Sequence, residues 1–177
     1  MRLFFAAFPT PEIRRRIAST TAAIGLPKQV RLVPAENYHM TVAFVGEVSR
    51  GLAVALRAIG AAVRCPPFEV CFDACEHWQK PEIVVAVASE PPAPLLELHR
   101  ALHAEIGRLG LPDDPVAFRA HITLARKVMQ ASVLKPMSKF SWTAQDLQLV
   151  RSARSAEGSI YTVVDSWPLL DNAGRVP

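Results

Sequence analysis

The sequence predicts an α+β fold: a bilobal, duplicated arrangement of two antiparallel-sheet lobes with helices outside and a central cleft. Three observations lead there. Short strand-like runs alternate with three amphipathic helical stretches along 177 residues, a length that suits one domain or two small lobes sharing a core. A His-x-Thr pattern occurs twice, as His39-Met40-Thr41-Val42 and His121-Ile122-Thr123-Leu124, 82 residues apart. Each copy follows a similar order of elements, and no low-complexity linker separates them. Residues 1–177 therefore read as a single domain of two pseudo-symmetric lobes, packed tightly, each carrying one motif.

Residues 2–8 read as a buried strand. Thr10-Pro11-Glu12 opens a helix, with Thr as the cap, Pro at the first helical position and an acid in the first turn. Ile13, Ile17, Thr20 and Ile24 share one face of it, and Gly25 ends it. Val30–Val33 is a short strand stopped by Pro34, and the first motif lies on a strand over 38–45 ended by Gly46. A second helix spans 49–63, with Leu52, Leu56, Ile59 and Val63 at helical spacing. Strands follow at 68–75 and 82–88. A third helix, 94–109, carries Leu95, Leu98, Leu102, Ile106 and Leu109 on its core face, and Gly110 closes it. The second motif sits on a strand over 118–126. A less regular stretch, 128–142, precedes two closing strands near 146–152 and 159–167, joined as a hairpin at Ala156-Glu157-Gly158.

Bulk composition narrows the function classes. Half the residues are hydrophobic, yet no apolar run approaches twenty residues, so no membrane span is expected. The opening Met1–Pro9 reads as a strand, not a signal peptide, because a helix follows at once and no small-residue cleavage site is evident. A cytoplasmic location is the resulting expectation. Three cysteines do not suggest a disulfide framework. A net charge of +4, with 15 Arg against 5 Lys, suits a phosphate-bearing partner. Arg14-Arg15-Arg16 reads as the solvated face of the first helix.

The two motifs carry the chemistry. Side chains alternate across a strand, so His39 and Thr41 project from one face, as do His121 and Thr123. Two copies could bring two imidazoles to one site, the minimum for paired general acid–base work. Rival constellations are weaker. Cys71, Cys75 and His77 match no tight zinc spacing, and His99 and His103 stand at i, i+4 without a His-Glu-x-x-His context. Neither a phosphate-cradling glycine loop nor a nucleophile elbow is present. No metal and no cofactor are expected.

Pro34–Thr41 with Phe44-Val45-Gly46-Glu47-Val48, and Phe118–Arg126, resemble the paired motifs of the 2H phosphoesterase superfamily. More narrowly, the chain is similar to the bacterial and archaeal RNA 2′,3′-cyclic phosphodiesterases, once described as 2′-5′ RNA ligases. Arg2–Ala6 resembles that family's opening strand, and Leu149–Ser152 with Gly158 and Tyr161 its closing hairpin. Tyr38 and Val42 replace the Leu common in the first motif.

The resemblance implies metal-independent hydrolysis of a 2′,3′-cyclic phosphate at RNA ends to a 2′-phosphate, with 2′-5′ RNA ligation as a side activity. It implies His39 as acid and His121 as base, Thr41 and Thr123 as grips on phosphate oxygens, and Arg126 as an added cation. Strict alternation places Arg126 on the face opposite His121 and Thr123, so it reaches the cleft only if the strand ends or bulges there. An acid and a base of this kind predict a bell-shaped pH profile with its top roughly between pH 6 and 8. Two other readings compete: a phosphodiesterase for a small cyclic nucleotide or ADP-ribose cyclic phosphate, which needs a closed pocket, and a non-catalytic RNA-end-binding module, for which Arg or Lys would serve better than His and Thr. The expected partners are RNA ends or nucleotides bearing the cyclic phosphate. A monomer is expected, with neither membrane nor obligate protein partner.

Overall fold

The computed structural model describes residues 1–111, 117–129, 134–155 and 158–170. β1 (Arg2–Ala7) is followed by α1 (Pro11–Ala23), β2 (Arg31–Leu32), a 3₁₀ turn at Ala35–Asn37, β3 (Met40–Glu47) and α2 (Arg50–Ala62). Then come β4 (Phe68–Phe72), β5 (Ala74–Trp78), β6 (Ile83–Val87), α3 (Ala93–Arg108), β7 (His121–Arg126), β8 (Phe140–Ala144), β9 (Asp146–Ser155) and β10 (Gly158–Pro168). Local chemistry sets the helix limits. The Thr10 hydroxyl accepts from the Ile13 N–H and the Ser49 hydroxyl from the Leu52 N–H, which satisfies donors that the first turn leaves unpaired. Gly25, at φ +76°, takes the left-handed turn that stops α1.

Eight strands form one antiparallel sheet in the order β10-β9-β1-β3-β7-β6-β5, with β2 added beside β7. The order is nearly palindromic: β9-β1-β3 on one side, β5-β6-β7 on the other. The halves meet at one residue pair, Met40 opposite Ile122. A second sheet pairs β4 with β8 and turns Phe68, Val70, Phe72, Phe140, Trp142 and Ala144 into the main core.

The two faces of the large sheet differ. Leu3, Phe5 and Ala7 of β1 and Val84 and Ala86 of β6 join the core that also takes Ile17, Leu56, Leu95, Leu98, Leu102 and Ile106 from the three helices. The alternate residues form two small apolar clusters on the helix-free face. One holds Phe4, Ala6 and Val150 with Phe8 and Tyr161; the other holds Ile83, Val85 and Val87 with Trp78. The cleft lies over these clusters, and the helices stand outside as expected.

Several boundaries differ from the expectations. The run 68–75 is two strands in two sheets. Asp73 interrupts it: its carboxylate accepts from the Ser89 N–H at 3.0 Å and its own N–H donates to the Val87 carbonyl at 3.1 Å. The chain thus leaves the pairing of β4 with β8 for that of β5 with β6. Gly46 does not end the first motif strand; it sits inside β3 at φ +88° and the strand continues to Glu47. The second motif strand begins at His121, not 118. The stretch 128–142 contains the start of β8, while its residues 130–133 lie outside the described residues, as do Ala156 and Glu157 of the predicted turn. The closing strands pair as expected, from Gly158 opposite Ser155 to Pro168 opposite Asp146. Among the described residues no helix is long and apolar enough to cross a membrane.

Candidate active site

His39 leaves the 3₁₀ turn just before β3, and His121 is the first residue of β7. Their settings repeat. His39 Nδ1 lies 2.7 Å from the Asn37 carbonyl oxygen, and His121 Nδ1 lies 2.7 Å from that of Arg119. A carbonyl only accepts, so each Nδ1 carries the proton and each Nε2 is left as the working nitrogen. Asn37 is itself pinned to β10, its Nδ2 donating to the Ser159 carbonyl at 3.1 Å.

The register about Met40 and Ile122 arranges the motif side chains. Continued in both directions, it sets His39 across from Thr123 and Thr41 across from His121. Four side chains on one face then occupy the corners of a quadrilateral. The imidazoles take one diagonal and the hydroxyls take the other.

Arg126 joins them by means of a bulge. Val84 pairs with Ala125 and Val85 with Thr123, which leaves Leu124 as an extra residue on β7. Leu124 and Ala125 are both buried, and Arg126 returns to the face of His121 and Thr123. β3 slips in the same way: Phe5 pairs with Ala43 and Ala6 with Thr41, leaving Val42 extra. The position matching Arg126 is Phe44, 39% exposed, with the Arg2 guanidinium 4.9 Å from its ring centroid. The bulged carbonyls are held differently. That of Leu124 accepts from the Val33 N–H at 2.9 Å, whereas that of Val42 accepts from His99 Nδ1 at 2.7 Å. The His99 ring also stacks on Phe118, 4.1 Å between centroids.

Both imidazoles, both hydroxyls and Arg126 line one open cleft of about 1320 Å³, which Arg2, Lys80, Arg119 and Arg154 also border. His39 is walled by Phe4, Phe8 and Tyr161, with ring centroids 5.1, 5.5 and 4.8 Å away. Burial among these rings lowers its pKa from 6.5 to about 4; the bond to Asn37 opposes this, and the charge of Arg126 adds to it. His121 packs on Trp78 at 4.6 Å. Burial lowers its pKa too, opposed by the bond to the Arg119 carbonyl and helped by the charges of Arg119 and Arg126. Both shifts favour the neutral imidazole in the free protein.

The weaker constellations come apart. Cys71 lies on β4 opposite Ser141, while Cys75 and His77 lie on β5, and His77 Nε2 sits 2.6 Å from the Val128 carbonyl. The shared face that a regular 68–75 strand would have given them is lost at Asp73. His99 and His103 rings lie 4.2 Å apart, with His99 engaged by Val42 and Phe118. Among the described residues no group of three or more His, Cys, Asp or Glu is placed to hold a metal. Sequence reasoning passed over Phe4, Phe8, Trp78 and Arg119. Arg119 could have been found, since on the expected strand over 118–126 it stands two residues before His121 and shares its face. The aromatic walls come from strands distant in sequence.

Comparison with known proteins shows the family. The family model of the 2′-5′ RNA ligase superfamily matches residues 9–156. The RNA 2′,3′-cyclic phosphodiesterase of Escherichia coli K12 is 31% identical across 95% of this chain and 96% of its own. That of Thermus thermophilus is 26% identical across 99% of this chain and 93% of its own. E. coli LigT crystallised with 3′-AMP superposes with a TM-score of 0.88, at 31% identity, over 95% of this chain and 97% of that one. On the family model's match over most of its length and on these relatives, the chain belongs to the 2′-5′ RNA ligase superfamily.

Proposed function

We propose that the chain is a hydrolase that opens 2′,3′-cyclic phosphates at RNA ends to leave a 2′-phosphate, by paired histidine catalysis without a metal. The observation that carries this reading is the quadrilateral of His39, Thr41, His121 and Thr123 on one cleft face. A phosphate at its centre would have an imidazole on either side along one diagonal, as in-line displacement needs. The two hydroxyls on the other diagonal, with Arg126, would donate to the non-bridging oxygens as they gain charge.

The surroundings support His39 as acid and His121 as base. His121 is the less enclosed ring, so water reaches phosphorus on its side and gives its proton to His121 Nε2. The water oxygen bonds to phosphorus, the bond from phosphorus to O3′ breaks, and O3′ takes a proton from His39. Burial makes protonated His39 a strong acid, and the bound phosphate anion supplies the negative charge that lets it hold the proton until transfer. Solvent exchange then resets both rings. A ribose 5′-hydroxyl in place of water would form a 2′-5′ linkage by the same displacement.

An open cleft of about 1320 Å³ suits an RNA end better than a small enclosed cyclic nucleotide. Two neutral imidazoles are poor anion grips, which weighs against a purely binding role. The chain would work as a monomer in the cytoplasm, one domain of two pseudo-symmetric lobes. The test is incubation with an oligoribonucleotide ending in a 2′,3′-cyclic phosphate, after dialysis against a strong chelator, with chromatographic identification of the product. A 2′-phosphate is expected, and His39→Ala and His121→Ala should each slow its formation by about 10²–10⁴-fold. Near-wild-type turnover in either variant, a 3′-phosphate product, or activity that vanishes until a metal is restored would refute the mechanism.

A further inference from the structure

A neutral imidazole in water carries its proton mostly on Nε2. Here each motif ring carries it on Nδ1, because a carbonyl two residues earlier accepts it at 2.7 Å: Asn37 for His39, Arg119 for His121. Whatever holds those two carbonyls in place therefore decides which nitrogen faces the cleft. β3 begins at Met40 and β7 at His121, so Asn37 and Arg119 both stand outside the strands. No ladder fixes their peptide planes.

Their side chains reach outward instead, each to an end strand of the large sheet. Asn37 Nδ2 donates to the Ser159 carbonyl on β10 at 3.1 Å, and Arg119 Nη2 donates to Glu76 Oε1 on β5 at 2.6 Å. The far ends are anchored in turn. Gly158, beside Ser159, donates its N–H to the Ser155 hydroxyl at 3.1 Å, and its carbonyl accepts from that hydroxyl at 3.0 Å. The other carboxylate oxygen of Glu76 accepts from Trp78 Nε1 at 2.8 Å. One tie is an amide on a carbonyl, the other a guanidinium on a carboxylate, yet the offset from the histidine and the destination are the same in both halves. Neither Asn37 nor Glu76 is among the residues that line the cleft.

Resting on the proposed reading of the site, we infer that Asn37 and Glu76 are positioning residues, each locking one imidazole with Nε2 toward the cleft by tying that ring's carbonyl partner to an end strand. Asn37 acts on His39 through its own peptide. Glu76 acts on His121 through Arg119. A ring released from its carbonyl would shift its proton toward Nε2, and His121 would then lack the lone pair that a base needs.

Ring-nitrogen NMR of the free protein at pH 8 tests this directly, since both rings fall below the ordinary imidazole value of 6.5 and are neutral there. In the wild type both should show a protonated Nδ1 and a bare Nε2. Asn37→Leu, apolar and of similar size, should mix the tautomers of His39 and spare His121. Glu76→Leu should do the reverse, and Glu76→Gln, which keeps an acceptor for Arg119, should restore much of the wild-type spectrum. Trp78→Phe keeps a ring against His121 and should leave its tautomer alone. Both Leu variants should lower kcat by about 10- to 100-fold, the usual size for a residue that orients an imidazole, with affinity for adenosine 2′-phosphate nearly unchanged. Glu76→Leu also frees the charge of Arg119, which by itself favours an anion, so slower turnover there would not come from weaker attraction. Unmoved tautomers in both Leu variants, or both rings disturbed equally by either one, would overturn the inference. Tautomers that shift ring by ring in a protein that hydrolyses no 2′,3′-cyclic phosphate would refute the enzymatic reading and uphold the ties.

Discussion

Replacing His39 with Gln should remove a large acid sensitivity from the fold. The ring sits among Phe4, Phe8 and Tyr161, and burial there lowers its pKa to about 4. An unfolded chain restores the ordinary 6.5. Above pH 6.5 neither state binds this proton and the full stability is present. As the pH falls below 6.5, the unfolded chain takes up a proton that the folded chain refuses. Stability is then lost progressively until the pH passes the folded value of about 4. The gap between 6.5 and 4 corresponds to about 3 kcal/mol. Gln cannot titrate, so urea unfolding at stepped pH should show the wild type losing about 3 kcal/mol more than His39→Gln between pH 7 and pH 4. Gln also removes ring contacts, which lowers its stability at pH 7 but not its slope with pH. His121→Gln should flatten the slope in the same direction, as its pKa is lowered for the same first reason. The imidazole Cε1–H resonance of His39 gives the midpoint directly. Parallel stability curves for wild type and His39→Gln, or a midpoint at 6.5, would mean that water reaches the ring and that the aromatic wall is not closed.

The same two lowered pKa values move the expected pH profile. kcat/KM reports groups of the free protein, so its maximum should fall on the acid side of 6.5, displaced from the centre of the 6–8 window read from unperturbed imidazoles; a maximum at pH 7 or above would contradict this. Arg126→Met should slow turnover by about 10²-fold, weaken 2′-phosphate binding and raise the His39 midpoint, because its charge faces both the oxyanions and that ring; an unmoved midpoint would place the guanidinium elsewhere. His99→Phe keeps a ring on Phe118 but loses the donor to the Val42 carbonyl. It should lower kcat with little change in phosphate affinity, and His99→Asn, with a donor at the δ position, should recover much of the loss; no difference between the two variants would dismiss that bond.

What could be read from residues alone was what adjacent residues decide. Thr10 and Ser49 cap their helices by reaching three residues forward, and Gly25 turns where an L side chain would strain. His and Thr share a face because a strand repeats every two residues. What could not be read depends on partners far along the chain. The slip at Leu124 exists only against β6, so Arg126 looked misplaced from its own strand. The break at Asp73 needs Ser89 and Val87. β8 was the nearer miss: Phe140, Trp142 and Ala144 alternate with polar residues, but the Lys, Ser and Pro before them obscured it. The low pKa of His39 needs rings from β1 and β10, which no local pattern joins to it.

The slips at Val42 and Leu124 make the cleft depend on the number of residues as well as on their kinds. Any apolar side chain of similar size could stand at either place and leave the pairing as it is. Removing one residue there would bring the strand back into step with its neighbour, and everything beyond it would change sides. In β7 that would turn Arg126 from the cleft toward the helices and set a guanidinium among leucines. Such a chain would still spell His-x-Thr twice and still carry every charged group of the site. It would pass for an intact member of its family in any reading that forgives a single gap, while its cation pointed at the wrong half of the molecule.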